Sequence, residues 1–115
     1  MPNLLPFAIA VSALWSCAAG APESDMIEAG HKLVRQECSA CHLVEEHQFY
    51  ALSFLAPSFF EVAADPAITE KGLRTFLSAP HENMPKIALS EQQINEIIAY
   101  IFSLRADPAS PSNGD

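Results

Sequence analysis

Cys38, Ser39, Ala40, Cys41 and His42 place two thiols and an imidazole within five consecutive residues. No other stretch limits the fold so tightly. C-x-x-C-H is the signature of c-type haem attachment. The spacing has a chemical reason. Two thiols add to the two vinyl groups of a haem and leave thioethers. Two intervening residues let one helical turn present both sulfurs to one porphyrin edge. His42 follows directly, where its imidazole lies under the iron as the proximal ligand. The competing readings fit less well. A thioredoxin-like dithiol needs a preceding strand and a βαβ context, and neither is present. A zinc site would have to recruit His47 and His81, with no second C-x-x-C pair to help. A Cys38–Cys41 disulfide would leave His42 unexplained.

The rest of the chain is consistent with one small domain. It has 115 residues and a formal charge of −8, and 115 residues suit a single core. All 6 basic and 14 acidic residues fall in 22–115. That balance excludes nucleic-acid binding through a basic patch, which needs clustered Lys and Arg. It also argues against adsorption to an anionic membrane surface. Disorder is not implied, because the acidic body keeps regular apolar stripes.

Residues 1–21 carry no charge. Leu4 to Trp15 is apolar apart from Pro6 and Ser12, about the length of a secretory h-region, and small residues follow from Ser16 to Ala21. The segment reads as a signal peptide, with a retained N-terminal anchor as the alternative. It is marginal as a span, which needs about 20 apolar residues. Leu14-Trp15-Ser16-Cys17 resembles a lipoprotein box, but bulky Trp15 beside the cut suits it poorly. Export to the periplasm is therefore expected, either free or anchored.

Helical spacing accounts for three main elements. Asp25, with Glu28 three residues on, predicts a capping box for a first helix ending near Glu37. Residues 38–58 show no sustained period and read as a loop with short turns, the last at Phe59–Ala63. Thr69 predicts the cap of a helix near 70–78, with Leu73, Phe76 and Leu77 on one apolar face. Residues 79–89 form a loop. Ser90, with Gln93 in the capping-box position, starts the clearest helix, whose stripe of Ile94, Ile97, Ile98, Ile101 and Phe102 ends near Arg105. Residues 22–105 are thus one all-α domain, and 106–115 read as a mobile tail. Long irregular stretches in so small a domain need something to pack on.

Met84 is the expected sixth ligand to the iron. It lies in the last loop, 42 residues after His42 and outside every helical stripe. Its thioether is a soft ligand that suits reduced iron, and Pro85 stiffens the loop around it. His81 is the rival ligand. Met26 reads as core, His31 as a solvated helix residue, and His47 as part of an exposed loop.

Across roughly 24–105 the chain resembles the class I c-type cytochromes of the small bacterial mono-haem kind. The matching residues are Gly30, the C-x-x-C-H itself, Ala56-Pro57-Ser58-Phe59, Asn83-Met84-Pro85 and Ile97-Ile98-Ala99-Tyr100-Ile101. The resemblance implies a cytochrome c-like fold of three main helices with long loops wrapped around one covalent haem c. It implies that the first and last helices cross closely at Gly30, with Tyr100 at the crossing; Val34 stands where the family usually has an aromatic. It implies that Pro57 offers its carbonyl to the His42 imidazole. The family's propionate-side Trp is missing, since Trp15 lies in the head. Tyr50 or Arg74 is expected to take its place, with a solvated helix residue as the other reading of Arg74.

The function expected on this basis is one-electron transfer between redox proteins, with no substrate transformed. A monomer is expected, docking its acidic surface on basic partners. Three alternatives are a ligand-binding or sensory haem protein, a cytochrome subunit of a larger dehydrogenase or oxidase, and a non-haem dithiol domain.

Overall fold

A computed structural model describes residues 2–5, 10, 12, 22–49, 51, 56–79 and 83–105. Among these residues are four helices: α1 (Glu23–Glu37), α2 (Phe59–Ala64), α3 (Glu70–Ser78) and α4 (Glu91–Ser103). No strand occurs among the described residues. The all-α reading holds, with three main helices and α2 as the short turn expected after Ser58.

The helix starts follow from side-chain chemistry, with one correction. Ser90 Oγ accepts from the Gln93 N–H, and the Gln93 side chain accepts from the Ser90 N–H, which closes the expected box. Thr69 caps α3 by accepting from the Gly72 N–H at 3.0 Å. Asp25 does not cap α1. The helix is capped three residues earlier, at Pro22, whose carbonyl accepts from the Asp25 and Met26 N–H groups at 3.0 and 3.1 Å. A proline brings no N–H that would need a partner. Glu23 and Asp25 then lie in the first turn, where their charge favours the positive end of the helix dipole. The sequence reading missed a second capping box, Ser58 with Glu61, which starts α2. Its Ser-x-x-Glu signature is visible in the sequence.

The core forms around the crossing of α1 and α4. A Cβ added to Gly30 would lie 2.0 Å from the Glu96 carbonyl oxygen and 2.9 Å from Tyr100 Cβ. Only a residue without Cβ permits this approach. Val34, Ile94, Ile97, Ile98, Tyr100 and Ile101 are buried there, joined by Val44 from the following loop and by Phe59, Ala63 and Leu73 from α2 and α3. Both short helices pack on α4. Two expected core side chains lie elsewhere. Phe76 is 49% exposed although Leu73 and Leu77 on the same helix turn inward, because a nine-residue helix covers only a narrow stripe of α4. Met26 is half-buried beside Ala29 and Gln92 at the edge of the crossing.

Past the end of α4, Arg105 donates to the carbonyls of Ala63 and Ile68 at 3.0 and 2.8 Å and lies 4.0 Å from the centre of the Phe102 ring. One guanidinium thereby ties α2 and its following turn to the last helix.

Tyr100 is buried and donates its hydroxyl to the Val44 carbonyl. Burial, aided by the negative charge of Glu45, pushes its phenol above the ordinary 10.0. The folded state therefore favours the neutral phenol. Its contribution to stability is complete below pH 10.0 and is lost as pH rises through the raised value. Alkaline unfolding curves should show this loss in the native chain, and Tyr100→Phe should remove it.

Candidate haem site

The C-x-x-C-H segment continues from the end of α1 as a single turn. Cys38 N–H donates to the Val34 carbonyl at 2.9 Å and closes the helix. The Cys41 and His42 N–H groups both donate to the Cys38 carbonyl, at 3.2 and 2.9 Å. This is the compact turn that the two-residue spacing requires. Cys38 and Cys41 are half-buried and not joined to each other. Burial, with the adjacent Glu37 carboxylate, pushes the Cys38 thiol up to about 11. A dithiol redox centre needs the opposite shift, toward a stable thiolate.

His42 is positioned through its ring. Its Nδ1 lies 2.8 Å from the Pro57 carbonyl. A carbonyl can only accept, so Nδ1 carries a proton, and Nε2 is the ring nitrogen left for another partner. Phe59 stands against the same ring, centroids 5.2 Å apart and tilted by 53°. The strand of chain bearing both partners is tied down next to it, because Phe59 N–H donates to the Leu43 carbonyl at 2.9 Å. The Ser58 capping box then fixes the direction in which α2 departs.

Met84 occupies the loop between α3 and α4, half-buried in a recess of mixed character lined by Leu77, Ser78, Pro85, Lys86, Ile87 and Leu89. Asn83 just before it has φ of 66°, a left-handed conformation that Asn tolerates better than most residues. The Asn83-Met84-Pro85 sequence therefore encodes a sharp turn that presents Met84.

The other sequence-derived site residues are placed less closely. Arg74 pairs with Glu70 at 3.1 Å across one helical turn, so a carboxylate of its own helix already faces it. Tyr50 and the rival ligand His81 lie outside the described residues, as do Trp15, Cys17 and the tail 106–115. His47 is exposed as expected. His31 is not the solvated residue expected. It stacks on Tyr100 with centroids 4.7 Å apart and planes within 7°. Its Nε2 lies 2.7 Å from Glu45, whose other oxygen lies 3.4 Å from Arg35 Nε. No helical period signals this cluster, because it joins α1 to a loop residue 14 positions away.

The donor set fits a covalently bound haem on chemical grounds. Two unjoined thiols share one turn, and the adjoining imidazole has one nitrogen hydrogen-bonded and one available. A thioether stands in a turn that leads into the last helix.

The family described as cytochrome c oxidase, cbb3-type, subunit III matches residues 25–101. Cytochrome c-552 of Bradyrhizobium diazoefficiens is 41% identical over 80 residues, covering 68% of this chain and 76% of that protein. No solved structure matches. Helical fold, haem-binding turn and both matches agree that the chain belongs to this cytochrome c family, as a small class I c-type electron-transfer protein with covalently attached haem c.

Proposed function

We infer that the chain is an exported one-electron carrier whose iron is held by His42 and Met84, with Cys38 and Cys41 as the thioether anchors. The observation that carries this reading is the His42–Pro57 hydrogen bond. It commits Nδ1 and leaves Nε2 as the nitrogen for a metal. A bound haem supplies an iron centre that accepts and gives up single electrons. This chain's residues do the rest. Pro57 fixes the imidazole's tautomer and, by hydrogen bonding, raises its basicity as a ligand. Phe59 restrains the ring and keeps water from that side. Met84 offers a neutral sulfur that favours the reduced metal and so raises the potential. The imidazole and thioether exchange no atoms with a substrate, and no proton transfer is required.

Residues 1–21 serve as signal peptide or anchor, 22–105 as the cytochrome domain and 106–115 as a tail. No helix among the described residues is long and apolar enough to cross a membrane. With 14 acidic against 6 basic residues, a monomeric carrier would meet partners through their basic surfaces, and the rate of electron transfer should fall as salt is raised. Tyr50 and Arg74 remain the proposed propionate partners; for Arg74 this requires exchanging or sharing Glu70.

The ligand assignment is tested by Met84→Ala. The sulfur-to-iron absorption band of the ferric protein should disappear, and the reduction potential should drop. A retained band would remove Met84 from the iron.

A second reading has one observation in its favour, the description of the matching family as an oxidase subunit. In that case the chain delivers electrons within a stable complex. Solubilised membranes of the source cell, resolved by native electrophoresis and stained for haem, separate the two. A free carrier migrates at its own small mass, and a subunit migrates with the oxidase.

A further inference from the structure

The carboxamide of Gln48 bonds three backbone groups around the C-x-x-C-H turn. Its Nε2 donates to the Ser39 carbonyl at 2.9 Å and to the His42 carbonyl at 2.8 Å. Its Oε1 accepts from the Val44 N–H at 2.9 Å. The turn's own backbone bonds both end on the Cys38 carbonyl, so the chain leaving it has no continuing ladder. A primary amide has two donors and an acceptor on one planar group, which matches two carbonyls and one N–H. The arrangement also fixes which end of the amide is nitrogen. Val44 is buried and accepts from Tyr100 through its carbonyl. Gln48 thereby links the turn to the α1–α4 crossing.

The geometry points to Gln48 as the positioning residue for His42: it holds the main chain of the proximal ligand while Pro57 holds its ring. This rests on the reading of His42 as an iron ligand. Each restraint alone leaves a degree of freedom. With only the Pro57 bond, the peptide of His42 could tilt and carry the ring with it. With only the Gln48 bond, the ring could rotate about its own side-chain torsions. Together they set the imidazole plane relative to a haem that the thioethers already fix in place. The orientation of that plane governs how the ligand shares electron density with the metal. The other residues near the turn do not supply this. Glu45 is engaged by His31 and Arg35, and Ser39 Oγ donates back to Arg35.

The test uses the holoprotein. Gln48→Met keeps length and bulk but has neither donors nor a strong acceptor. Gln48→Glu keeps the acceptor but turns an oxygen toward two carbonyls. Both variants should shift the hyperfine-shifted haem-methyl resonances of the ferric protein, which report imidazole orientation, and should alter the reduction potential. Gln48→Glu should shift them further. In Gln48→Met the Val44 amide should exchange with solvent roughly tenfold faster, as expected for one lost hydrogen bond. A lowered unfolding midpoint with native resonances and potential would overturn the proposal and leave Gln48 a merely structural residue. In the unmodified protein, both Gln48 carboxamide protons should exchange slowly; fast exchange of either also overturns it, whatever the variants do. His42→Gly separates the underlying reading. An unchanged haem spectrum there would refute His42 as ligand. A changed spectrum, restored by added imidazole, would uphold it and leave Gln48 to be judged on its own results.

Discussion

Gly30→Ala should lower the unfolding free energy of the holoprotein by about 2 kcal/mol or more, although alanine is the better helix former. Two effects oppose each other. The substitution gains about 1 kcal/mol of helix propensity within α1. It also places a methyl group 2.0 Å from the Glu96 carbonyl oxygen and 2.9 Å from Tyr100 Cβ. The first of these is main chain within α4 and cannot rotate aside. The helices must separate instead, which loosens the contacts of Val34, Ile97 and Tyr100 along the crossing. Overpacking of this kind costs about 1–3 kcal/mol where side chains can yield, and more where the obstacle is backbone. The clash therefore exceeds the propensity gain. Denaturant unfolding followed by far-ultraviolet circular dichroism measures the difference. Gln36→Ala, on the exposed face of the same helix, should leave the midpoint nearly unchanged. A Gly30→Ala midpoint above that of the native protein would show that the crossing is looser than described.

The second large effect is expected on removing the haem. A Cys38→Ala, Cys41→Ala chain spanning 22–105 should show weak helicity and no cooperative thermal transition. The reason is where the core ends. Among the described residues ten apolar side chains are buried, clustered on the α1–α4 crossing, the two short helices and Val44 of the loop after α1. Among the described residues, none is buried between Val44 and Phe59, or between Leu73 and Ile94. These are the two stretches that carry Pro57 and Met84. Ordering such a stretch costs about 1–2 kcal/mol per residue in backbone entropy, and burial within the protein alone does little to offset it. In the proposed site a large apolar porphyrin between them would supply the missing contact, and binding free energy would then become folding free energy. A sharp, reversible melt of the haem-free chain would show that the protein core suffices.

The two loops also show how far the sequence could be read. The C-x-x-C-H turn was legible because its chemistry is local. Five consecutive residues contain both proposed anchors and the proposed ligand, and the helical turn they need spans no greater distance. The caps at Thr69 and Ser90 were legible for the same reason, since each bond reaches only three residues along the chain. Asp25 misled because a local signature competes with what precedes it, and Pro22 offers an earlier start. Pro57 was identified by resemblance to a family, and its bond to His42 spans 15 residues. Gln48 escaped notice, since nothing about a lone glutamine in a loop shows that three backbone groups will converge on its amide.

By itself the sequence determined the helix periods, the caps, the acidic body beyond an uncharged head and the thiol–imidazole turn that marks the chain for haem. Apart from the charge distribution, each depends on groups within about four residues of one another, where chain geometry leaves few choices. The tertiary structure alone decided how His31 comes to stack on Tyr100 and how Gln48 gathers the carbonyls of Ser39 and His42, while the Gly30 crossing and the Pro57 bond were legible only through family resemblance. The His31–Tyr100 stack exists only once the helices have crossed. The Gln48 bonds are set by backbone groups that converge on one amide within the loop, which no local pattern of side chains records.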